Sequence, residues 1–390
     1  MMKIKNNLLK NTIVIFSILF FIFICMIDAE AEESVEKYNA AKLLEQLYEE
    51  SGADELIYHV PEESREFLRK IKFEEFRPGS ADNLTAENIF QGIVYMMREN
   101  MTEPLRILIC IIGIIIITAM FDTLKSSSLN SSLDKTLSLV AGLCTIFVLS
   151  PSMLSVVNNL TQTIANASNF MLVYIPVISG LIAVSGHAVS GSMYYGVMIY
   201  VSNAILQINS KIIMPFLKCI LSMSMVISVS DTVSLSGIIE LIKKTIRWIL
   251  TFCMSLFVAF ITMKSIVSVS EDSLSNKAVK FAISNFVPLV GGALSDAYQT
   301  VMSCVGIMRS GVGVAAMAAI FAVFLPAAAR CVIWEFVLAV SAAVCDIFNI
   351  GKISCLLHSL SSIISTICAI LLCTMVIYII STAIIIIVGG

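Results

Sequence analysis

Apolar positions along this chain gather into long runs instead of alternating with polar ones. Leu105–Leu124, Thr136–Val157, Ile249–Met263 and Ser354–Val388 are nearly free of charge, and a helix needs roughly 20 such residues to cross a bilayer. Further apolar segments lie at 170–184, 190–208, 212–230, 248–267, 286–307, 311–328, 330–347 and 355–388. Gly, Ser and Ala punctuate them, as in packed transmembrane bundles. Residues 32–103 follow a different pattern. "SVEKYNAAKLLEQLYEE" sets Val35, Leu43, Leu44, Leu47 and Tyr48 on one helical face. "PEESREFLRKIKFEEF" opens a second helix with Pro61 and early acidic residues. "TAENIFQGIVYMMREN" groups Ile89, Phe90, Val94 and Met97 in a third. The expected fold is all-α: a polytopic helical membrane protein with a small helical domain ahead of the bundle.

The ends of the segments give an orientation. Lys3, Lys5 and Lys10, an apolar core from Ile13 to Ile27 and Ala29-Glu30-Ala31 read as a secretory signal over 1–31. An uncleaved signal anchor is the other reading, and both place residue 32 onward outside the cytoplasm. Residues 32–103 are then an extracytoplasmic acidic domain, either an independent bundle or one that docks on a partner or the membrane surface. Residues 104–167 hold the first two spans. Lys125 and Lys135 in the loop between them belong in the cytoplasm by the positive-inside rule. The second span returns outward to "NNLTQTIANAS", polar and uncharged. Continued alternation brings "ELIKKTIRW" with Lys243, Lys244 and Arg247 back to the cytoplasm.

The rest of the membrane region repeats itself. Pro215, Lys218 and Cys219 are echoed by Pro326, Arg330 and Cys331. "SNFMLVYIPVISG" resembles "SNFVPLVGG", Asp231 resembles Asp346, and Cys253 falls opposite Cys368, all at offsets between about 111 and 116. Residues 168–267 and 284–390 are expected to be two repeat units joined by a loop at 268–283. Each unit opens on Pro and Gly: Pro176 and Gly180 in one, Pro288, Gly291 and Gly292 in the other, where Asn285, Phe286, Ser295 and Asp296 flank them. Interrupted segments at equivalent places in two halves mark a site or lumen in many transporters; an ordinary kinked helix is the alternative. Lys218 and Arg330 sit in apolar surroundings where a cation costs about 3 kcal/mol or more at a helix centre. They either snorkel to a helix end or pair with Glu335, Asp231 and Asp346 in a polar seam.

Composition agrees with the pattern. Of 390 residues 58% are hydrophobic and 14% charged, and the mean hydropathy is +0.91, well outside the soluble range. The net charge of −3 hides an acidic exported region and a slightly basic membrane region. Ten of the eleven cysteines lie in the membrane region, where they act as small apolar packing residues and not as a disulfide framework or a metal site. No nucleic-acid patch, phosphate loop, nucleophile elbow or zinc-binding His pair is present. "GVGVAA" is a packing face in an apolar helix, and the scattered histidines form no site. No catalytic residue, cofactor or metal is expected.

The acidic exported segment, "EPLRILICIIGIIIITAMFDTLKSS" and above all "NKAVKFAISNFVPLVGGALSDAYQTVMS" (Asn276–Ser303) resemble the stage III sporulation protein AE family. The resemblance implies a multi-span subunit of a mother-cell-to-forespore channel, or feeding tube, needed for forespore integrity and late forespore gene expression. Implied partners are the other stage III sporulation AA–AH proteins, including an ATPase, and indirectly the forespore stage II protein Q. The implied location is the mother-cell membrane around the forespore, with the N-terminal domain extracytoplasmic. It carries Asn285, Phe286, Pro288, Gly291, Ser295 and Asp296 as structural or lumen positions and offers no catalytic residue. A stand-alone secondary transporter built on two repeats is the alternative reading of the same core, and a scaffold with no lumen is a third.

Overall fold

A computed structural model describes residues 45, 48–71, 73, 86–125, 131–184, 187–229, 235–257, 259, 291–348 and 350–388. All regular structure among them is helical. A 3-10 turn (Asp54–His59) precedes α1 (Glu62–Lys70) and α2 (Ala86–Asn100). The long elements follow: α3 (Thr102–Lys125), α4 (Ser131–Val184), α5 (Ala188–Ile208), a π turn (Asn209–Ile213) and α6 (Met214–Val229). After α7 (236–257) come α8 (Gly291–Ile347) and α9 (Gly351–Val388). Five stretches are long and apolar enough to cross a membrane: Thr102–Phe121, Leu139–Val184, Ala188–Ile227, Val305–Ile347 and Gly351–Ala383.

These elements are fewer and longer than the apolar segments predict. α4 runs without a break through "NNLTQTIANAS" and on through 170–184, so the expected outward connection is helix. Its polar residues occupy one stripe, while Leu160, Ile164, Ala167 and Phe170 on the other side are buried. A helix with one wetted face looks like a loop when hydropathy is averaged over all its residues. Segments 190–208 and 212–230 likewise join through the π turn, where the Met214 N–H donates to the Asn209 carbonyl just before Pro215, which has no N–H to give. Segments 286–307, 311–328 and 330–347 share α8 from Gly291 onward. The boundary expected at 168 falls inside α4.

The N-terminal helices pack through a close approach. A Cβ on Gly92 of α2 would lie 2.6 Å from Phe67 Cε2 and 3.0 Å from Ile71 Cγ2 of the α1 segment, so a larger residue there would have to displace those side chains. Ile89, Gly92 and Met96 face inward, whereas Phe90 and Val94 are exposed. The apolar face of α2 is therefore rotated from the expected grouping of Ile89 with Phe90 and Val94. The residues of the predicted first helix lie mostly outside the described ones, as does the signal.

The long helices form two stacked tiers. One level is fixed where Ser168 and Tyr378 hydroxyls lie 2.9 Å apart, the Phe324 and Tyr378 rings 6.5 Å apart, and the Ser381 hydroxyl donates to Met198 Sδ at 2.8 Å. A second level is fixed where the Ser152 hydroxyl donates to Glu103 Oε1 at 2.6 Å and Arg330 Nε to Asn100 Oδ1 at 2.7 Å. From the first level to the second, α4 runs from 168 back to 152 and α8 forward from 324 to 330. Beyond the second level lie α3, the start of α4, α6, α7, the end of α8 and the start of α9. This is the first tier. The second tier holds the rest of α4, α5, the start of α8 and the end of α9. At its centre every residue from Ala315 to Ala329 is buried, an all-round apolar helix enclosed by others.

Candidate functional site

Arg330 stands at the junction of the tiers, and its carboxylate partner comes from the N-terminal domain. Its Nη2 lies 3.3 Å and 3.4 Å from the two carboxylate oxygens of Glu63 on α1. Its Nε donates to the side chain of Asn100, the last residue of α2. One guanidinium, a rigid fork of donors, thus binds both N-terminal helices to α8. Glu335 and Asp346, expected as partners in a seam, take other places. Glu335 is buried, 9% exposed, one turn after Cys331 and beside Cys368. Asp346 is exposed at the α8–α9 turn, where the Ser354 hydroxyl donates to it and His358 Nε2 lies 3.7 Å away. A carboxylate there faces the N-terminal end of α9, which favours negative charge. Asp231 lies outside the described residues.

Lys218 is exposed on α6, and among the described residues it makes no ion pair. The cation pair is therefore split: Arg330 faces the N-terminal domain and Lys218 the outside of the bundle. The sequence held no signal for the Arg330–Glu63 contact beyond the opposite charges, because 267 positions separate the two.

The candidate broken-helix positions fall in different settings. Pro176 and Gly180 are exposed within α4, which continues through both to Val184. The Ser179 hydroxyl donates to the Pro176 carbonyl at 3.0 Å, a back-bond of the kind serine makes within helices. Gly291 and Gly292 are the first described residues of α8. Ser295 and Asp296 lie in its first turns, while Asn285, Phe286 and Pro288 lie outside the described residues. Among the described residues no group of three His, Cys, Asp or Glu side chains could hold a metal. On α2, outside the long apolar helices, the Glu99 carboxylate beside Tyr95 holds that phenol above its usual range, and Lys70 Nζ sits 4.6 Å from its ring centroid.

An all-helical chain with several helices long enough to span a bilayer, and amphipathic N-terminal helices fastened to one of them, defines a polytopic membrane protein. Comparison with known proteins gives the family. The family model described as Stage III sporulation protein AE matches residues 71–389, and the chain belongs to that family. It is 23% identical over 234 residues to Stage III sporulation protein AE of Bacillus subtilis (strain 168), a match covering 60% of this chain and 59% of that relative's length. No solved structure matches it.

Proposed function

We propose that this chain is a multi-span membrane subunit of a channel between mother cell and forespore, required for forespore integrity and late forespore gene expression. The observation that carries the reading is family membership over residues 71–389, which makes this a sporulation membrane protein. The docked N-terminal helices support the finer part, since a helical domain held against the bundle by Arg330 suits a subunit that meets partners at the membrane surface. Those partners are the other stage III sporulation AA–AH proteins, an ATPase among them, and indirectly the forespore stage II protein Q. The location is the mother-cell membrane around the forespore, with the N-terminal domain extracytoplasmic. The chain is assigned no catalytic step, so an ATPase supplies the work.

The internal duplication at 168–267 and 284–390 belongs to the same proposal. α7 and α9 begin at 236 and 351, close to the offset between the sequence matches, and each follows a helix bearing proline, cation and cysteine. This equivalence also favours the second reading, a stand-alone secondary transporter. A late forespore promoter reporter, imaged after engulfment in a strain lacking the gene, tests the channel. Silent reporter and shrunken forespores after complete engulfment are expected. Normal reporter and normal forespores would remove the channel reading, and the purified chain would then be assayed for transport in liposomes.

A further inference from the structure

We propose that the outward face of α5 and α6 is one wall of an aqueous path running through both tiers, made cationic in the first tier by Lys211 and Lys218. The inference rests on the channel reading, in which several subunits surround such a path.

The helices are too long for the bilayer. α4 has 54 residues and α8 has 57, each roughly 80 Å at 1.5 Å per residue, against a hydrocarbon layer of about 30 Å. One tier must stand outside it. The face of α4 shows which. In the first tier that face carries Val140, Leu143 and Phe147, the last 82% exposed. After Pro151 the same face of the same helix carries Ser155, Asn158, Gln162 and Asn169, all exposed. A helix face that turns from apolar to amide-rich within one turn is crossing from acyl chains into water. The change falls at Ser152, the level of Glu103, Asn100 and Arg330, where the acidic N-terminal domain is fastened. The first tier therefore lies in the hydrocarbon.

Elsewhere the first tier is greasy outside, as lipid requires. α3 exposes Ile109, Ile116, Ile117 and Met120, and α8 exposes Val332 and Phe336. The α5–α6 face departs from this. It carries Asn203, Gln207, Lys211, Lys218 and Ser222, all exposed, on a stretch that is helical throughout apart from its π turn. Lys218 lies twenty residues after Met198, about 30 Å along the helix, and Met198 is tied to the Ser381 level. The two levels lie about 9 Å apart along α8 and about 24 Å apart along α4, so Lys218 falls roughly 6–21 Å beyond the level of Arg330, inside the hydrocarbon layer. A lysine facing acyl chains there costs about 3 kcal/mol or more; facing water it costs little.

The test is thiol labelling of the full chain in native membranes from sporulating cells, with a charged maleimide and site-resolved mass spectrometry. Cys110 on α3 and Cys144 on α4 are native, exposed and on the lipid side, so they serve as internal controls. Lys218→Cys and Asn203→Cys are expected to react without detergent on the order of tenfold or more faster than those controls, because the thiolate forms in water and not in hydrocarbon. Reaction at Asn203→Cys but not at Lys218→Cys would end the path at the tier junction and overturn the proposal. Equal reaction at Cys110 and Cys144 would overturn it too, by showing the first tier wet all round. If Lys218→Cys does not accumulate, Ser222→Cys, one turn on along the same face, gives the same readout. A fast Lys218→Cys beside a normal forespore reporter supports the wetted wall and removes only its role in a channel. A slow one beside a silent reporter removes the wall and leaves the channel reading standing.

Discussion

Arg330 shows how much one side chain decides here. Its ion pair with Glu63 is partly exposed and contributes about 1 kcal/mol at most. The bond from Nε to Asn100 is shorter and charge-assisted, worth roughly 1.5–3 kcal/mol. Arg330→Leu is therefore expected to loosen the N-terminal helices more than Glu63→Gln does. Arg330→Lys should fall between them, since an ammonium cannot span both partners as the guanidinium fork does. The measurement is protease cleavage within residues 62–71 in membranes: faster cutting in the order Glu63→Gln, Arg330→Lys, Arg330→Leu. A paired exchange, Glu63→Arg with Arg330→Glu, should restore much of the ion-pair part but not the Asn100 bond. Equal cleavage of all variants and wild type would mean that apolar packing of α1 and α2 on α8 holds the domain without the arginine.

Two glycines at helix contacts differ in what faces them. At Gly92 the obstacle to a Cβ is the far edge of the Phe67 ring, which can swing. At Gly191 of α5 it is the Ser179 backbone carbonyl of α4, 2.6 Å away, which cannot move without bending the helix. Gly92→Ala is expected to cost about 1–3 kcal/mol as ordinary overpacking. Gly191→Ala should cost more and splay the α4–α5 hairpin. Cross-linking of a cysteine pair near the 179–191 contact would report it: intact in Gly92→Ala, lost in Gly191→Ala. Equal effects would mean that α4 yields as easily as a side chain. The elements themselves were partly legible in the sequence. Helical class and the helices at Glu62–Lys70 and Ala86–Asn100 follow from periodicity and turn signals. The joining of segments into α4, α5–α6 and α8 did not, because Asn and Gln residues along 158–169 and the Lys211–Pro215 stretch read as breaks. Only the packing of Leu160, Ile164 and Phe170 against neighbours turns them into helix interior. The Glu63–Arg330 contact was illegible for a further reason, since no local rule links α1 to the middle of α8.

At the scale of the whole molecule the open choice is which way the bundle stands. Basic positions crowd the end of the first tier far from the N-terminal domain: Lys125 closes α3, Lys243, Lys244 and Arg247 fall in the first half of α7, and Lys352 opens α9. The opposite rim holds Arg106, Lys211 and Arg330. The positive-inside rule counts lysine and arginine near span ends and largely ignores acids, so the α7–Lys352 end is expected in the cytoplasm and the N-terminal helices across the membrane from it. The sign does not depend on how the 1–31 segment is processed. An epitope inserted after Phe348, in the α8–α9 turn, should be reached by antibody only after the membrane is opened. Tyr58→Cys, on an exposed residue of the 3-10 turn, should react with impermeant maleimide in intact protoplasts. The reverse result at both sites would turn the bundle over and put the amide face of the second tier in the cytoplasm. Labelling of both from one side would mean that α8 and α9 do not cross between the tier junction and their turn, and the two-tier division would have to be redrawn.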